Sequence, residues 1–532
     1  MTGNRLAVFS FLTFFAAVSS AIEFEVNVQS GDTPLRNAPV RVPVDFGSGV
    51  PTAVSLSGDG FIGMGQITPA SVAAEDGTKS ELCFVIPHLP ANEKLTIIGK
   101  TVNDEEVKNG FAFDSQEHET TMSVGGRNIL RCMREPIDRS SPERIGETYK
   151  VFHHVFDPSG SRYVTKGPGG LFPHHRGLFF GFNKISYGDN QQADIWHCRN
   201  GEHQEHKSEE LTMGAVLGRD KSEIAWHGRD DKVFAHETRE LTSYNLEGGV
   251  LIEFASLLQS KVGKIELKGD PQHAGFQFRA SQEVPDKTKA MTYYLRPDGK
   301  GEPGKFRNWS NKEDETQENL DHINLPWNAL CFVLDGKKYT CCYLDHPNNP
   351  KEARYSERDY GRFGSYFEYE LDNDKPLKLN YRIWLQEGEM SVEEVNELSK
   401  SFVSPPKVTA SAALAKAEAK PDREGFTSIF DGKSLDGWDG DPKFWTVKEG
   451  AITGTTTKEV AIKNGNTFII WDGDTADFEL KLQYKIVGHP KGNSGIQYRS
   501  FRLDDKNDNK WRVGGYQADF ETGERYTGIC YG

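Results

Sequence analysis

Along most of the chain, apolar and polar residues change places at every second position over short runs. Few stretches keep the wider spacing of an amphipathic helix. A period of two marks half-buried strands, because successive side chains on a strand point to opposite faces. Such runs at Glu23–Val28, Ala53–Leu56, Leu82–Ile86 and Leu95–Lys100 alternate with turns and predict a small β domain over residues 22–110. A second β-rich region covers residues 111–402, with strands expected at Val250–Leu258 and Phe276–Val284. Ala329–Leu334 and Tyr339–Leu344 flank Asp335-Gly336, a hairpin signature. Tyr366–Leu371 and Leu377–Leu385 read as another pair around Asp372-Asn373-Asp374. Ser391–Ser401 opens on a serine with Glu393 and Glu394 behind it, so a closing helix is expected there.

Residues 403–425 read as a linker: Pro405-Pro406, an Ala/Lys/Glu-rich stretch and Pro421 leave few large apolar side chains to build a core. From Phe426 alternation resumes at Phe444–Val447, Ala451–Thr453, Phe468–Trp471, Phe478–Val487, Gly495–Arg499 and Tyr516–Phe520, the opening of a β-sandwich or jelly roll over 426–532. The sandwich is expected to be unfinished, with an open sheet edge.

At 532 residues the chain is too long for one core. With 53 Gly and 25 Pro beside 32 Phe, 18 Tyr and 9 Trp, the composition is that of a turn-rich globular protein. A net charge of −15 argues against a nucleic acid or an anionic membrane surface as the main partner and suits a neutral ligand. Residues 1–21 carry Arg5, the apolar run Leu6–Val18 and then Ser19-Ser20-Ala21, the layout of a secretory signal peptide. The expected product is secreted or periplasmic, with no membrane insertion after cleavage; an uncleaved anchor is the rival reading. The seven cysteines include no C-x-x-C, and Cys341-Cys342 would point to opposite faces of a strand, so buried free thiols are expected.

The segment from Gly492 to Phe520 carries the clearest chemistry. Gln497 and Arg499 should share one strand face, as should Gln517 and Asp519, giving a surface of planar hydrogen-bonding groups beside aromatic rings. Such a face suits a sugar. Phe426-Thr-Ser-Ile-Phe-Asp-Gly-Lys-Ser-Leu-Asp-Gly-Trp438, Phe444-Trp-Thr-Val-Lys-Glu-Gly-Ala-Ile-Thr-Gly454, Asp477–Leu482, Gly492-Asn-Ser-Gly-Ile-Gln-Tyr-Arg499 and Gly515-Tyr-Gln-Ala-Asp519 together resemble the 3-keto-disaccharide hydrolase domain family. The resemblance implies a concanavalin A-like jelly roll acting on 3-keto-glycosides, although the family's later strands are missing here. A ketone at C3 acidifies the C2 hydrogen, so such a site needs a general base near C2 and donors or a metal for the enolate oxygen. Asp519 is the candidate base or metal ligand, with Glu521 on the same face; its other reading is a carboxylate bound to turn backbone. Asn493, Gln497, Arg499, Tyr516, Gln517 and Trp438 are candidate substrate binders. Tyr498 is either a stacking or a core ring, and His489 sits in a turn.

Seven of the 15 histidines fall between His153 and His206. With Asp and Glu nearby they can make a divalent metal site or an acid–base pair, or they are satisfied structural residues. Their spacing matches no recognised metal motif. Phe152-His-His-Val-Phe-Asp-Pro-Ser-Gly160, His174-His175-Arg176-Gly177 and Asp194-x-Trp196 resemble a family labelled "methane oxygenase PmoA". That label is no guide to function, since a membrane oxygenase needs spanning helices that this sequence lacks. Similar domains look like the supersandwich folds of sugar mutarotases, which by analogy makes His174, His175, Arg176 and His206 sugar-contacting; His203 and His206 are the candidate metal ligands. The expected fold is therefore mainly β and multi-domain, a supersandwich-like β domain followed by a concanavalin A-like jelly roll. The expected function is cleavage of 3-keto-glycosides. The alternatives are a non-catalytic carbohydrate-binding protein and a metal-dependent enzyme working through the histidines.

Overall fold

The computed structural model describes residues 22–45, 52–102 and 109–411, apart from 271, 312–313 and 319. Within 429–531 it describes all but 449, 458–459, 463–465, 474–477, 479, 487–492, 504–509 and 523–529. The expected signal peptide and His489 lie outside the described residues. The chain divides into two compact units, residues 1–416 and 417–532. Its fold is mainly β and multi-domain.

Among the described residues of the first unit, the N-terminal strands form a seven-stranded sheet ordered Leu35–Val44, Ser80–Leu89, Phe61–Pro69, Ala53–Gly58, Lys94–Val102, Glu23–Gln29 and Lys407–Ala410. The last strand corrects part of the linker reading: Val408 pairs with Val28 and Ala410 with Val26, which covers the free side of Glu23–Gln29. Phe24, Val26, Val28, Val54, Leu56, Leu82, Phe84 and Ile97 build the core behind it.

Residues 111–387 fold into two large antiparallel sheets among smaller ones. An eight-stranded sheet contains Phe152–Val155, Leu178–Phe182, Ala274–Arg279 and Arg362–Tyr366, and a nine-stranded one contains His203–Thr212, Leu217–His227, Val250–Ser260 and Leu377–Glu387. One apolar core draws on both sheets. The Phe276 ring stacks 4.1 Å from Phe254 and lies 5.1 Å from Tyr381, so the two faces interdigitate as in a sandwich. The hairpin is formed as expected: Asp335 (φ 48°) and Gly336 (φ 74°) both take the left-handed conformation that matches strand twist. The closing helix spans Val392–Val403, and Ser391 and Glu394 form a reciprocal capping box.

Two expectations are corrected. Tyr369–Leu371 and Leu377–Glu387 do not form a hairpin ladder: the first pairs with Ile265–Lys268, the second with Val250–Ser260 and Lys337–Asp345. Only the Asp372–Lys375 bridge joins them, because the chain crosses there between two sheets. The strand expected over Phe276–Val284 runs Ala274–Arg279 and gives way to a helical turn from Val284.

In the second unit the described residues form small ladders, the longest pairing Asn493–Arg502 with Val513–Glu521, beside the short strand Cys530–Tyr531. The expected strand at Phe478–Val487 is not formed among its described residues, and Phe478, Leu480, Leu482 and Tyr484 stand exposed.

Candidate functional site

Two polar clusters are built from different local structure. The first lies in the histidine-rich region, where three loops bring four imidazoles together. His174 and His175 sit on the loop that enters the strand Leu178–Phe182. Gly177 (φ 40°) makes that entry, since a Cβ there would lie 2.1 Å from the His153 carbonyl oxygen. His197 follows the strand Gln191–Ala193, and His273 immediately precedes Ala274–Arg279. Ring centroids are 4.4 Å apart for His174 and His175, 4.6 Å for His174 and His197, 4.7 Å for His197 and His273, and 5.3 Å for His273 to either His174 or His175.

Two of these rings are aimed by the same device. In Asp194-Ile-Trp-His197 the aspartate accepts the backbone N–H groups of Trp196 and His197 on one oxygen, and His197 Nδ1 lies 2.8 Å from the other. In Asp270-Pro-Gln-His273 the aspartate accepts the Gln272 N–H, and His273 Nδ1 lies 2.9 Å from the carboxylate. Asp and Asn cap their own turns in this way because the short side chain reaches the backbone two or three residues on. Burial alone would raise both carboxyls, but the hydrogen bonds and the facing imidazoles hold Asp194 and Asp270 below the usual carboxylate range. An ionised carboxylate facing Nδ1 calls for a proton there, and burial lowers the His273 pKa, so its neutral ring carries the lone pair on Nε2.

His174 and His175 have no such partner. His174 Nε2 and His175 Nδ1 are buried without a hydrogen bond. Burial, with Lys150 and His197 nearby, pushes His174 down to about 2, and burial with Arg362 pushes His175 well below its ordinary value. Both rings are therefore neutral. Lys150 reaches in to donate to the His174 carbonyl oxygen at 2.6 Å and fixes the loop. Phe172, 41% exposed and held at φ 52°, stands beside the cluster with its ring 5.0 Å from Tyr360.

Arg176 is corrected as a sugar-contacting residue. Its guanidinium donates to the carbonyls of Pro173, Gly146 and Glu147, the last two at the end of the helix Pro142–Thr148, and lies over the Tyr149 ring. An arginine capping helix carbonyls in this way is structural. His203 and His206 do not form a metal pair, because residues three apart on a strand face opposite ways. His203 stacks 4.2 Å from His227, with Asp231 as the third member of that group. His206 has Arg134, Asp220, Glu209 and His153 as its titratable neighbours and does not join His174 and His175.

Among the described residues, three groups have ligand atoms close enough to share a metal: His174, His175 and His273; Cys132, His153 and Asp220; and His203, His227 and Asp231.

The second cluster is a ladder on the strand pair of the C-terminal unit. Gln497 pairs with Gln517 and Gly495 with Asp519. Ser500 Oγ donates to Gln497 Oε1 at 3.2 Å, Gln497 Nε2 to Gln517 Oε1 at 2.6 Å, Gln517 Nε2 to Asp519 Oδ1, and Asn493 Nδ2 to Asp519 Oδ2 at 3.1 Å. Asp519 is buried and held by side-chain amides, not by turn backbone. Gly495 is required opposite it: a Cβ there would lie 2.8 Å from both Asp519 Oδ1 and the Ala518 carbonyl oxygen. Arg499 does not share this face as expected. It is exposed at φ 50°, inside a bulge between Tyr498 and Phe501 that resets the alternation. Tyr516 is half exposed and stacks on Tyr498 at 5.9 Å. Trp438 belongs to a separate short ladder with Ile470–Trp471, where its indole N–H donates to the Ile429 carbonyl oxygen.

Residues 119–400, just over half of the chain, match the model of a family of unknown function (DUF6807). Residues 425–532 match that of a 3-keto-alpha-glucoside-1,2-lyase-like domain. A 3-keto-disaccharide hydrolase of Bacteroides thetaiotaomicron is 30% identical over 115 residues, 20% of this chain. The chain spans 39% of the length of that relative. An alpha-mannosidase structure from Enterococcus faecalis V583 gives a TM-score of 0.36 at 8% identity, covering 74% of this chain and 46% of that one. A glycosyl hydrolase family 38 protein from Enterococcus faecalis gives 0.37 at 9% identity, covering 74% and 48%. At those scores the likeness is too loose to bear on a site. No helix among the described residues is long and apolar enough to cross a membrane.

Proposed function

The chain belongs, through residues 119–400, to a family of unknown function (DUF6807), and we propose that it is a carbohydrate-active hydrolase cleaving the glycosidic bond of 3-keto-glycosides. The observation that carries the reading is the Asp519 carboxylate, buried opposite the bare Gly495 backbone and aimed by Asn493 and Gln517. The match of residues 425–532 to a lyase-like keto-glucoside domain, and the 30% identity to a 3-keto-disaccharide hydrolase over 115 residues, support the choice of substrate.

A carboxylate has about four lone-pair sites, and two amide donors leave the rest for a substrate proton. In the proposed route Asp519 takes the C2 hydrogen as a proton, and its electron pair forms the enolate of the C3 ketone. The enolate re-forms the ketone, with a C1–C2 double bond, as the C1–O bond breaks and the leaving oxygen takes a proton. Water then adds across the double bond, its oxygen to C1 and a proton to C2, giving the free 3-keto sugar. Each amide NH2 of Asn493 and Gln517 uses one hydrogen on Asp519, so a second remains for substrate or enolate oxygen. Ordinary glycosidases instead use a pair of carboxylates around an oxocarbenium ion. The signal-like residues 1–21 support export of the protein.

The test is incubation of the full chain with several 3-keto-glycosides and with the parent glycosides. Turnover of the keto forms alone, lost in Asp519→Asn, is the expected result. Equal cleavage of the parent glycosides contradicts the elimination route. Binding of the sugar without turnover makes the protein a carbohydrate-binding module instead.

A further inference from the structure

The loops around His175 hold a feature that sugar proton transfer at Asp519 does not use. We propose that His174, His175 and His273 are the three protein ligands of a divalent first-row transition metal ion of the zinc class, bound with one coordination position open beside His197 and Phe172.

Geometry carries the assignment. The ligand atoms of His174, His175 and His273 all lie within 4.8 Å of one another. Nitrogens bound to one tetrahedral ion at about 2.0–2.1 Å sit roughly 3.3 Å apart, so modest ring rotations close the set. His175 is 2% exposed, and its Nδ1 and His174 Nε2 are buried with no hydrogen-bond partner. Buried polar nitrogens are rarely left unpaired, and an ion between them removes that cost. The third ring carries the outer support that metal-bound histidines have: Asp270 holds His273 Nδ1 at 2.9 Å and is itself tied to Gln272 N–H and to Asn183 at 2.8 Å. That arrangement puts the ring proton on Nδ1 and leaves Nε2 as the nitrogen able to bind the ion.

Imidazole-only ligation selects zinc, copper, nickel or iron over magnesium and calcium, which require oxygen. His197, aimed by Asp194 at 2.8 Å, stands against His174 with ring centroids 4.6 Å apart, so it would neighbour the fourth coordination position, where a water or a substrate oxygen would bind. The exposed Phe172 ring lies 6.1 Å from the His174 ring and would offer an apolar wall to a ligand bound there.

The other two groups are weaker candidates and serve as controls. Cys132, His153 and Asp220 are sealed in the core, with His153 Nε2 already 3.6 Å from Asp220. In the third group, His227 is occupied on both ring nitrogens, by Glu205 and by the Asp231 carbonyl oxygen.

The experiment uses the full chain, stripped with a chelator, dialysed against cobalt(II) and then zinc, and read by elemental analysis and visible absorption. The expected result is about one ion per chain, with the strong visible bands of a four- or five-coordinate cobalt(II) site. The ion should be lost in His174→Ala/His273→Ala, kept in His203→Ala, and kept in His197→Ala. Asp270→Asn should weaken affinity by about 10–100-fold and shift the cobalt bands, since it reorients a ligand without removing it. Circular dichroism confirms that each variant is folded. Should the double histidine variant not fold, the Asp270→Asn affinity and spectrum decide alone. Only the weak bands of hydrated cobalt in the folded wild type, or full binding in the folded double variant, or unchanged affinity and bands in Asp270→Asn, would overturn the assignment. Loss of the ion in His197→Ala would overturn the open position.

Discussion

Around His175 the polar groups come from loops, and around Asp519 they come from strands. The histidine cluster draws on three loops far apart in sequence, and each aspartate that touches an imidazole is also tied to its own turn. The Asp519 ladder lies on two paired strands, where register alone puts Gln497 against Gln517 and Asp519 against Gly495. Loops give convergence on a point, which suits a metal ion. A strand pair gives a flat row of donors and acceptors, which suits a sugar ring. The two regions are thus fitted to different tasks, and changes in one should leave the other's readout alone.

The largest expected effect separates them at once. Asp519→Asn should lower turnover of a 3-keto-glycoside by about 10²–10⁴-fold, the usual range for a lost general base, with cobalt binding unchanged. Gly495→Ala comes next, because the added Cβ meets backbone as well as the Asp519 carboxylate. A cost of about 1–3 kcal/mol in stability of the C-terminal unit, with reduced turnover, is expected and is read from urea unfolding and initial rates. Arg176→Met should break the histidine region alone: the carbonyls of Gly146 and Glu147 lose their donor, at about 1–3 kcal/mol seen as a lower Tm.

A further effect is a pH dependence of the first unit. Burial, with Arg131 beside His154 and against the pull of Glu357 beside His322, pushes both His154 and His322 down to about 4 from 6.5. Between those values the unfolded chain binds more protons than the folded one, so stability rises with pH. Stability from these groups is complete above about pH 6.5 and is lost as the pH falls toward 4. Each contributes up to about 1.4 kcal/mol per pH unit in that window. Urea midpoints in the presence of a chelator should fall accordingly, and a flat profile would contradict it.

What could be read from sequence follows from how local each signal is. The Asp335-Gly336 turn and the Ser391 capping box depend on a few adjacent residues, and both form as expected. The Asp519 face was legible up to Tyr498, where strict alternation holds, and failed at Arg499 because a bulge leaves no trace in a hydrophobic pattern. His273 was missed because it lies outside the dense run from His153 to His206. A usable signal existed: Asp-x-x-His occurs at both 194–197 and 270–273, and the two copies meet in space. Arg176 misled for the opposite reason. It adjoins His175 in sequence, yet strand entry at Gly177 turns its side chain toward the end of the helix Pro142–Thr148.

The proposed function rests on proton removal at C2, a step that would leave an isotopic record. The full chain is incubated with a 3-keto-glycoside in heavy water, and deuterium at C2 of the released sugar is measured by NMR against an enzyme-free control. The account predicts deuterium at C2 in step with cleavage, with both reduced by about 10²–10⁴-fold in Asp519→Asn. Cleavage that leaves the original hydrogen on C2 would contradict it.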